Sequence, residues 1–344
     1  MSIAPIILKE QQILASAAHI AIIIGVRDAW RRCISLHNKP QEPDFIASLV
    51  LESAPILYDA FSNVFANYGV AFSLVSVYCH QTPKVRYSGI SKTSCELGDV
   101  LFVHVHKERN GQARRNALLY QAKISSKQPH RVPFSEQHQL TLYTDWPTFE
   151  YYRSPPLTGQ KRDVNPKSPH RGAQYLLIDD RPPEDPDSGM LGFPGTYPIG
   201  SCMADQILHD HNHLAAEIIE FLVYRSGRTF GERRTHVAND DWTQTIWDLL
   251  KVSMDKVIRR KNSGRRTEPR IAGGPLYLLD GSCYAMRTSA RASRTVSELL
   301  GIGDSEWLFS REDSPPGKDQ FIRDDQQEES GVSIILIETS EAEE

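Results

Sequence analysis

Apolar positions along this chain change their period three times. Residues 4–35 carry a dense apolar stretch from Ile13 to Val26 and predict one or two helices. A polar break at His37-Asn38-Lys39-Pro40 follows. Residues 43–67 then recur near helical spacing through Phe45, Leu49, Ile56, Leu57, Phe61, Val64 and Phe65. Pro43 suits a first helical turn. Pro55 predicts a kink or a restart with Ser53 as cap, and Tyr68-Gly69 a stop.

From residue 70 short apolar runs predict strands over 70–79, 97–106 and 116–124. Asn110-Gly111 between the last two signals a hairpin. Residues 135–152 read as a helix and Tyr175-Leu176-Leu177-Ile178 as a further strand, with a basic, proline-rich stretch between them. The second half is more helical, with helices predicted over 204–225 and 241–261 and strands over 275–279 and 332–337. Residues 309–330 are polar and partly acidic. The expected class is α/β. The expected organisation is an N-terminal helical segment (1–40), a core (41–182), a helical elaboration or second module (183–308), and a polar segment with a terminal strand (309–344).

Composition narrows this little. The 344 residues are 40% hydrophobic and 24% charged, with a net charge of −4, so a surface for nucleic acid must be a local patch. The densest basic run is Arg259-Arg260-Lys261 with Arg265 and Arg266, which can grip phosphates or simply complement a helix end. Arg225, Arg228, Arg233 and Arg234 form a second patch. Five scattered cysteines without a Cys-x-x-Cys pair argue against a disulfide framework and fit a reducing cytoplasm. The apolar stretch 13–26 is too short to span a bilayer, follows no basic segment and shows no cleavage site. The expectation is a buried helix, a cytoplasmic protein and no membrane partner.

Chemistry concentrates where the apolar strands are interrupted. Asp99 opens one strand, and Gln121-Ala122-Lys123 lies within the next. Burying Asp, Gln and Lys costs free energy that packing does not return. Asp99 can cap a turn, and Gln121 with Lys123 can lie on the solvent face of an edge strand. The apolar run Leu118-Leu119-Tyr120 instead argues for a central strand. Neighbouring strands would then bring together the Asp99 carboxylate, the Gln121 amide oxygen and the Ala122 carbonyl, an oxygen set suited to Mg²⁺ or Mn²⁺. Lys123, two residues past Gln121, shares its sheet face and can orient a water or offset developing charge.

Gly98-Asp99 and Gln121-Ala122-Lys123, in this order of elements, resemble the PD-(D/E)XK superfamily of restriction-endonuclease-like nucleases, in the Q-x-K variant of Mrr-type and antiphage effector enzymes. Gln139 and Tyr143, four apart on the following helix, resemble the Q-x-x-x-Y motif of RecB-like nucleases. The resemblance covers residues 43–150. It implies an αβββα core and Mg²⁺- or Mn²⁺-dependent hydrolysis of DNA phosphodiesters. It also implies a place in prokaryotic restriction or antiphage defence, with a partner protein or a second copy. Asp99, Gln121 and Ala122 would hold the metal, Lys123 would serve the water or transition state, and Gln139 and Tyr143 would position substrate. The family's first-helix acid maps best onto Glu52, with Glu96 as rival. Gln in place of an acid lowers the negative charge at the metal.

Two alternatives remain from the residues. The fold can persist without catalysis as a nucleic-acid-binding or scaffold module. His209, His213 and Glu217 at helical spacing can instead chelate zinc for a hydrolase, although the H-E-x-x-H order is not matched. His104 and His106 alternate on the Asp99 strand, flanking the site or lining a solvated face.

Overall fold

The computed structural model describes residues 3–35, 37–79, 83–89, 94–125, 129–154, 156–167, 171–183, 198–209, 212–233, 240–254, 277–279 and 332–341. In chain order the main elements are α1 (Gln11–Ser35), α2 (Glu42–Ala66), β1 (Val70–Val77), β2 (Val100–Lys107), β3 (Ala113–Ile124), α3 (Gln137–Asp145), β4 (Ala173–Ile178), β5 (Ile199–Met203), α4 (Leu214–Leu222), α5 (Asp241–Met254) and β6 (Ser333–Glu341). The protein is α/β, built on one mixed sheet.

Pro55 does not break α2. The backbone widens into a π-helical turn over Leu49–Ser53, which relieves the clash a proline ring makes with the carbonyl four residues back. The β2–β3 hairpin turns at Glu108–Gln112, where the Glu108 N–H donates to the Gln112 carbonyl at 2.8 Å and Gly111 takes a left-handed φ of 79°. The strand order is β5-β4-β3-β2-β6-β1. The β2/β3, β4/β5 and β1/β6 pairs are antiparallel, and β6 runs parallel to β2, β3 to β4. The terminal strand therefore lies in the middle of the sheet, and β1 reaches β2 only through it. Its sequence Ile334-Ile335-Leu336-Ile337, apolar on both faces, is what a central parallel strand requires.

One face carries α1, α2 and α4, with Phe72 packed on Phe61 and Phe65, and Phe102 on Phe221. The other carries α3, α5 and a small antiparallel sheet of Lys84–Tyr87, Cys95–Glu96, Phe149–Tyr152 and Lys161–Arg162. A single hydrophobic core takes Leu14 from the first segment, Val103 and Leu119 from the second, Ile219 and Leu250 from the third and Leu336 from the last.

Two expectations change. The helix expected over 135–152 ends at Asp145. Trp146 turns left-handed (φ 43°) ahead of Pro147, and Phe149–Tyr152 becomes a strand paired with Lys84–Tyr87. The helix expected from 204 starts at Leu214, after short strands at Ile207–Leu208 and Asn212–His213. The apolar N-terminal stretch belongs to a 25-residue helix, α1. By length and composition α1 and α2 could each cross a membrane, but 56% and 67% of their most apolar windows are buried within the protein, as in core helices.

Candidate functional site

Asp99 immediately precedes β2 and is pinned on both sides. Its N–H donates to the Tyr120 carbonyl of β3 at 2.8 Å, and its carbonyl accepts from the Ser333 N–H of β6 at 3.1 Å. The preceding turn is held from α3, where the buried Tyr143 hydroxyl donates to the Leu97 carbonyl at 2.8 Å. Gly98 lies so close to Leu119 and Tyr143 that a Cβ would meet their side chains at 2.7 and 2.9 Å. Only glycine lets the chain pass there.

This brings Asp99 onto the same sheet face as Gln121 and Lys123. The Gln121 amide donates to Asp99 Oδ2, and the Ala122 N–H donates to the same oxygen at 2.7 Å. The Ala122 carbonyl, on the same edge of β3 as its N–H, faces the same gap. The Gln121 side chain is 2% exposed, and its amide oxygen is buried without a hydrogen-bond partner. Lys123 Nζ reaches Glu136 at 2.9 Å. Glu42, at the start of α2, accepts from the Ile124 N–H at 3.4 Å and lies within electrostatic range of Lys123 and Asp99.

The site is overloaded with acid. Burial, then the carboxylates of Glu96 and Glu42, push the Asp99 carboxyl well above its ordinary range, against the pull of the Ala122 N–H and Lys123. Burial likewise raises Glu42, with Lys123 and the Ile124 N–H opposing. For Lys123 burial acts downward, but Glu42, Glu136 and Asp99 outweigh it and its ammonium is held above the usual lysine value.

Glu52 does not share this site. It lies in the π turn of α2, ten residues past Glu42 and about 15 Å further along the axis. Glu42 takes the place expected of it, and Glu96 joins it. Gln139 is half-buried on α3. Tyr143 faces the core between Trp146 and Tyr175 and acts through the Leu97 turn rather than on a substrate. Arg259, Arg260, Lys261, Arg265 and Arg266 lie outside the described residues, as does Arg234. Arg225 pairs with Glu220 at 3.8 Å, and Arg228 stacks on Trp242. Sequence reasoning passed over Glu42, Glu136 and His130, whose imidazole Nε2 is buried and unpartnered beside Glu136 and Lys123. Glu42 opens α2, Glu136 closes the turn before α3 and His130 opens a two-residue strand, and no periodic signal marks such positions.

The zinc arrangement fails on geometry. Because α4 begins at Leu214, His209 and His213 share no helical face; His209 is exposed and His213 sits edge-on to His19 at 5.5 Å. Glu217 is engaged inside the core by Gln174, Ser226 and Asn212. Among the described residues no three His, Cys, Asp or Glu side chains form a metal-holding group. The candidate Mg²⁺ ligands differ in kind, since two of them are amide oxygens. His104 and His106 neither flank the site nor face solvent. They are buried on the opposite face, both within hydrogen-bond reach of Thr339 Oγ1, at 3.1 and 2.9 Å. Burial, then His106 and Arg114, pull His104 down to about 3.

No protein-family model, curated protein or solved structure matches the chain.

Proposed function

We propose that the protein is a metal-dependent nuclease of the PD-(D/E)XK type that hydrolyses DNA phosphodiesters. The observation that carries this reading is the orphaned Gln121 oxygen beside Asp99, a carboxyl burdened by burial and two further acids. A cation answers both features, since it gives the amide oxygen a partner and favours the ionised carboxylate. The residues therefore fit Mg²⁺ or Mn²⁺, with Asp99, Gln121 and the Ala122 carbonyl as ligands. Such an ion supplies Lewis acidity at a phosphoryl oxygen and lowers the pKa of a bound water.

The chain's own residues do the rest. Tyr143 and Gly98 fix the turn that presents Asp99. Lys123, kept charged by Glu42 and Glu136, directs its ammonium where negative charge develops. The acids that hold Lys123 also repel phosphate until their charge is offset, so substrate binding and metal loading should be coupled. Restriction or antiphage defence is the biological setting that the sequence resemblance implies.

A non-catalytic nucleic-acid-binding module is the second reading. It is favoured by one contact, the engagement of Lys123 by Glu136. Plasmid DNA incubated with the purified protein decides. Degradation that requires Mg²⁺ or Mn²⁺ and disappears in Lys123→Ala supports the nuclease. DNA binding without hydrolysis, at any metal concentration, supports the module.

A further inference from the structure

The most exposed large apolar side chain described in the protein is Phe134, 91% accessible. It opens the 3₁₀ turn Phe134–Glu136 that leads into α3. The last residue of that turn is Glu136, whose carboxylate grips Lys123. Two residues of 3₁₀ helix advance about 4 Å, so the backbone that carries the ring lies close to the carboxylate holding Lys123. The segment is rigidly tied. The Val132 N–H donates to the Gln206 carbonyl at 3.1 Å, the Gln206 amide returns a bond to the Val132 carbonyl at 3.0 Å, and Arg131 pairs in register with Ile207. Ile207 (45%) and Met203 (44%), on the crossing segment, extend the apolar exposure. Arg131, three residues before Phe134, is exposed, and no carboxylate among the described residues is in ion-pair range of it.

An aromatic ring held out into water on a fixed turn loses the free energy its burial would return, and packing nowhere repays it. A ring, a guanidinium without an ion-pair partner among the described residues and, on the adjoining strand, the proposed catalytic lysine match the needs of a nucleotide strand: a base to stack, a phosphate to neutralise, a bond to cut. A base within a duplex offers no free face to a side chain at the backbone.

We infer that Phe134 is a base-stacking platform at the mouth of the site, and that the strand presented for cutting is single-stranded or locally unpaired. The inference rests on the nuclease reading for its setting, but stacking is measurable without hydrolysis. With Ca²⁺ in place of Mg²⁺, which offsets the acids' charge without supporting hydrolysis, a single-stranded oligodeoxynucleotide containing 2-aminopurine should lose fluorescence on binding the wild-type protein, and its duplex form should not. Phe134→Ala should abolish the quenching and weaken single-strand binding about 10-fold, and Phe134→Trp should restore both. The ring is 91% exposed and outside the hydrophobic core of the described residues, so its removal leaves that core intact. With Mg²⁺, Phe134→Ala should slow cleavage of single-stranded more than of duplex DNA. Unchanged quenching and affinity in Phe134→Ala overturn the inference. So does a Phe134-dependent change in oligomer mass by light scattering with DNA binding unaltered, which would assign the patch to a second copy of the chain. Phe134-dependent quenching without hydrolysis by the wild type removes the nuclease reading and leaves stacking standing. Hydrolysis indifferent to Phe134 does the reverse.

Discussion

Two carboxylates are drawn into opposite faces of the same sheet, and their surroundings could hardly differ more. Glu217 on α4 accepts from Gln174 Nε2 at 3.0 Å, from the Ser226 hydroxyl and from Asn212 Nδ2 at 3.2 Å, while the Ser201 hydroxyl closes the network onto Gln174 Oε1 at 2.5 Å. Asp99 receives both its donors on one oxygen, beside an orphaned amide oxygen and under the repulsion of Glu96 and Glu42. The first arrangement is a closed polar network that specifies how α4 and β4 meet. The second is open and electrostatically unfavourable as it stands, a state that the cation of the proposed reading would relieve. Burial of an acid alone therefore marks nothing; the state of its partners distinguishes structure from site.

Ways to break the contrast can be ordered by size. Lys123→Ala should cost about 10²–10³-fold in the rate of Mg²⁺-dependent DNA cleavage, with the fold retained by circular dichroism. Glu217→Ala should do the opposite. Stranding Gln174, Ser226 and Asn212 should cost about 3 kcal/mol in chemical denaturation, while whatever folds still cleaves. Mg²⁺ at about 100 times its dissociation constant should stabilise the wild type by about 2.7 kcal/mol in the same measurement, and Asp99→Asn should lose that gain.

Smaller, but sharper in sign, is the pH dependence of the metal-free protein. Because folding raises the Asp99 pKa, the folded chain binds that proton more tightly than the unfolded chain. Its stabilising contribution is complete below the ordinary carboxylate range and is lost as pH rises through the raised value. Asp99→Asn should therefore melt above the wild type in EDTA at pH 8, and the gap should close on acidification. Mg²⁺ affinity should tighten over the same interval, because the carboxyl must shed its proton to bind. Least of all, Tyr143→Phe should cost about 1 kcal/mol through the lost bond to Leu97, with a modest fall in cleavage as the Asp99 turn loosens.

Much of the fold is written locally. The change from helical to alternating apolar spacing near residue 70, the Asn110-Gly111 hairpin and the doubly apolar β3 all follow from short-range chemistry, and they place Asp99 opposite Gln121. The helix past Asp145 was illegible because Phe149, Tyr151 and Tyr152 satisfy a helical period as readily as a strand. The outcome was decided by Pro147 and by an edge waiting at Lys84–Tyr87. The helical spacing of His209 and His213 was a coincidence of numbering, undone once short strand pairings took up Ile207–Leu208 and Asn212–His213.

By itself the sequence determined most of the main elements, the hairpin and the Asp/Gln/Lys grouping on one face, because strand alternation and turn geometry act over a few residues. Tertiary structure decided that β6 enters the middle of the sheet and pins Asp99, that Glu42 rather than Glu52 joins the site, and that Glu136 holds Lys123. These depend on contacts between residues far apart in the chain, and no local period encodes which distant edges and helix ends will meet.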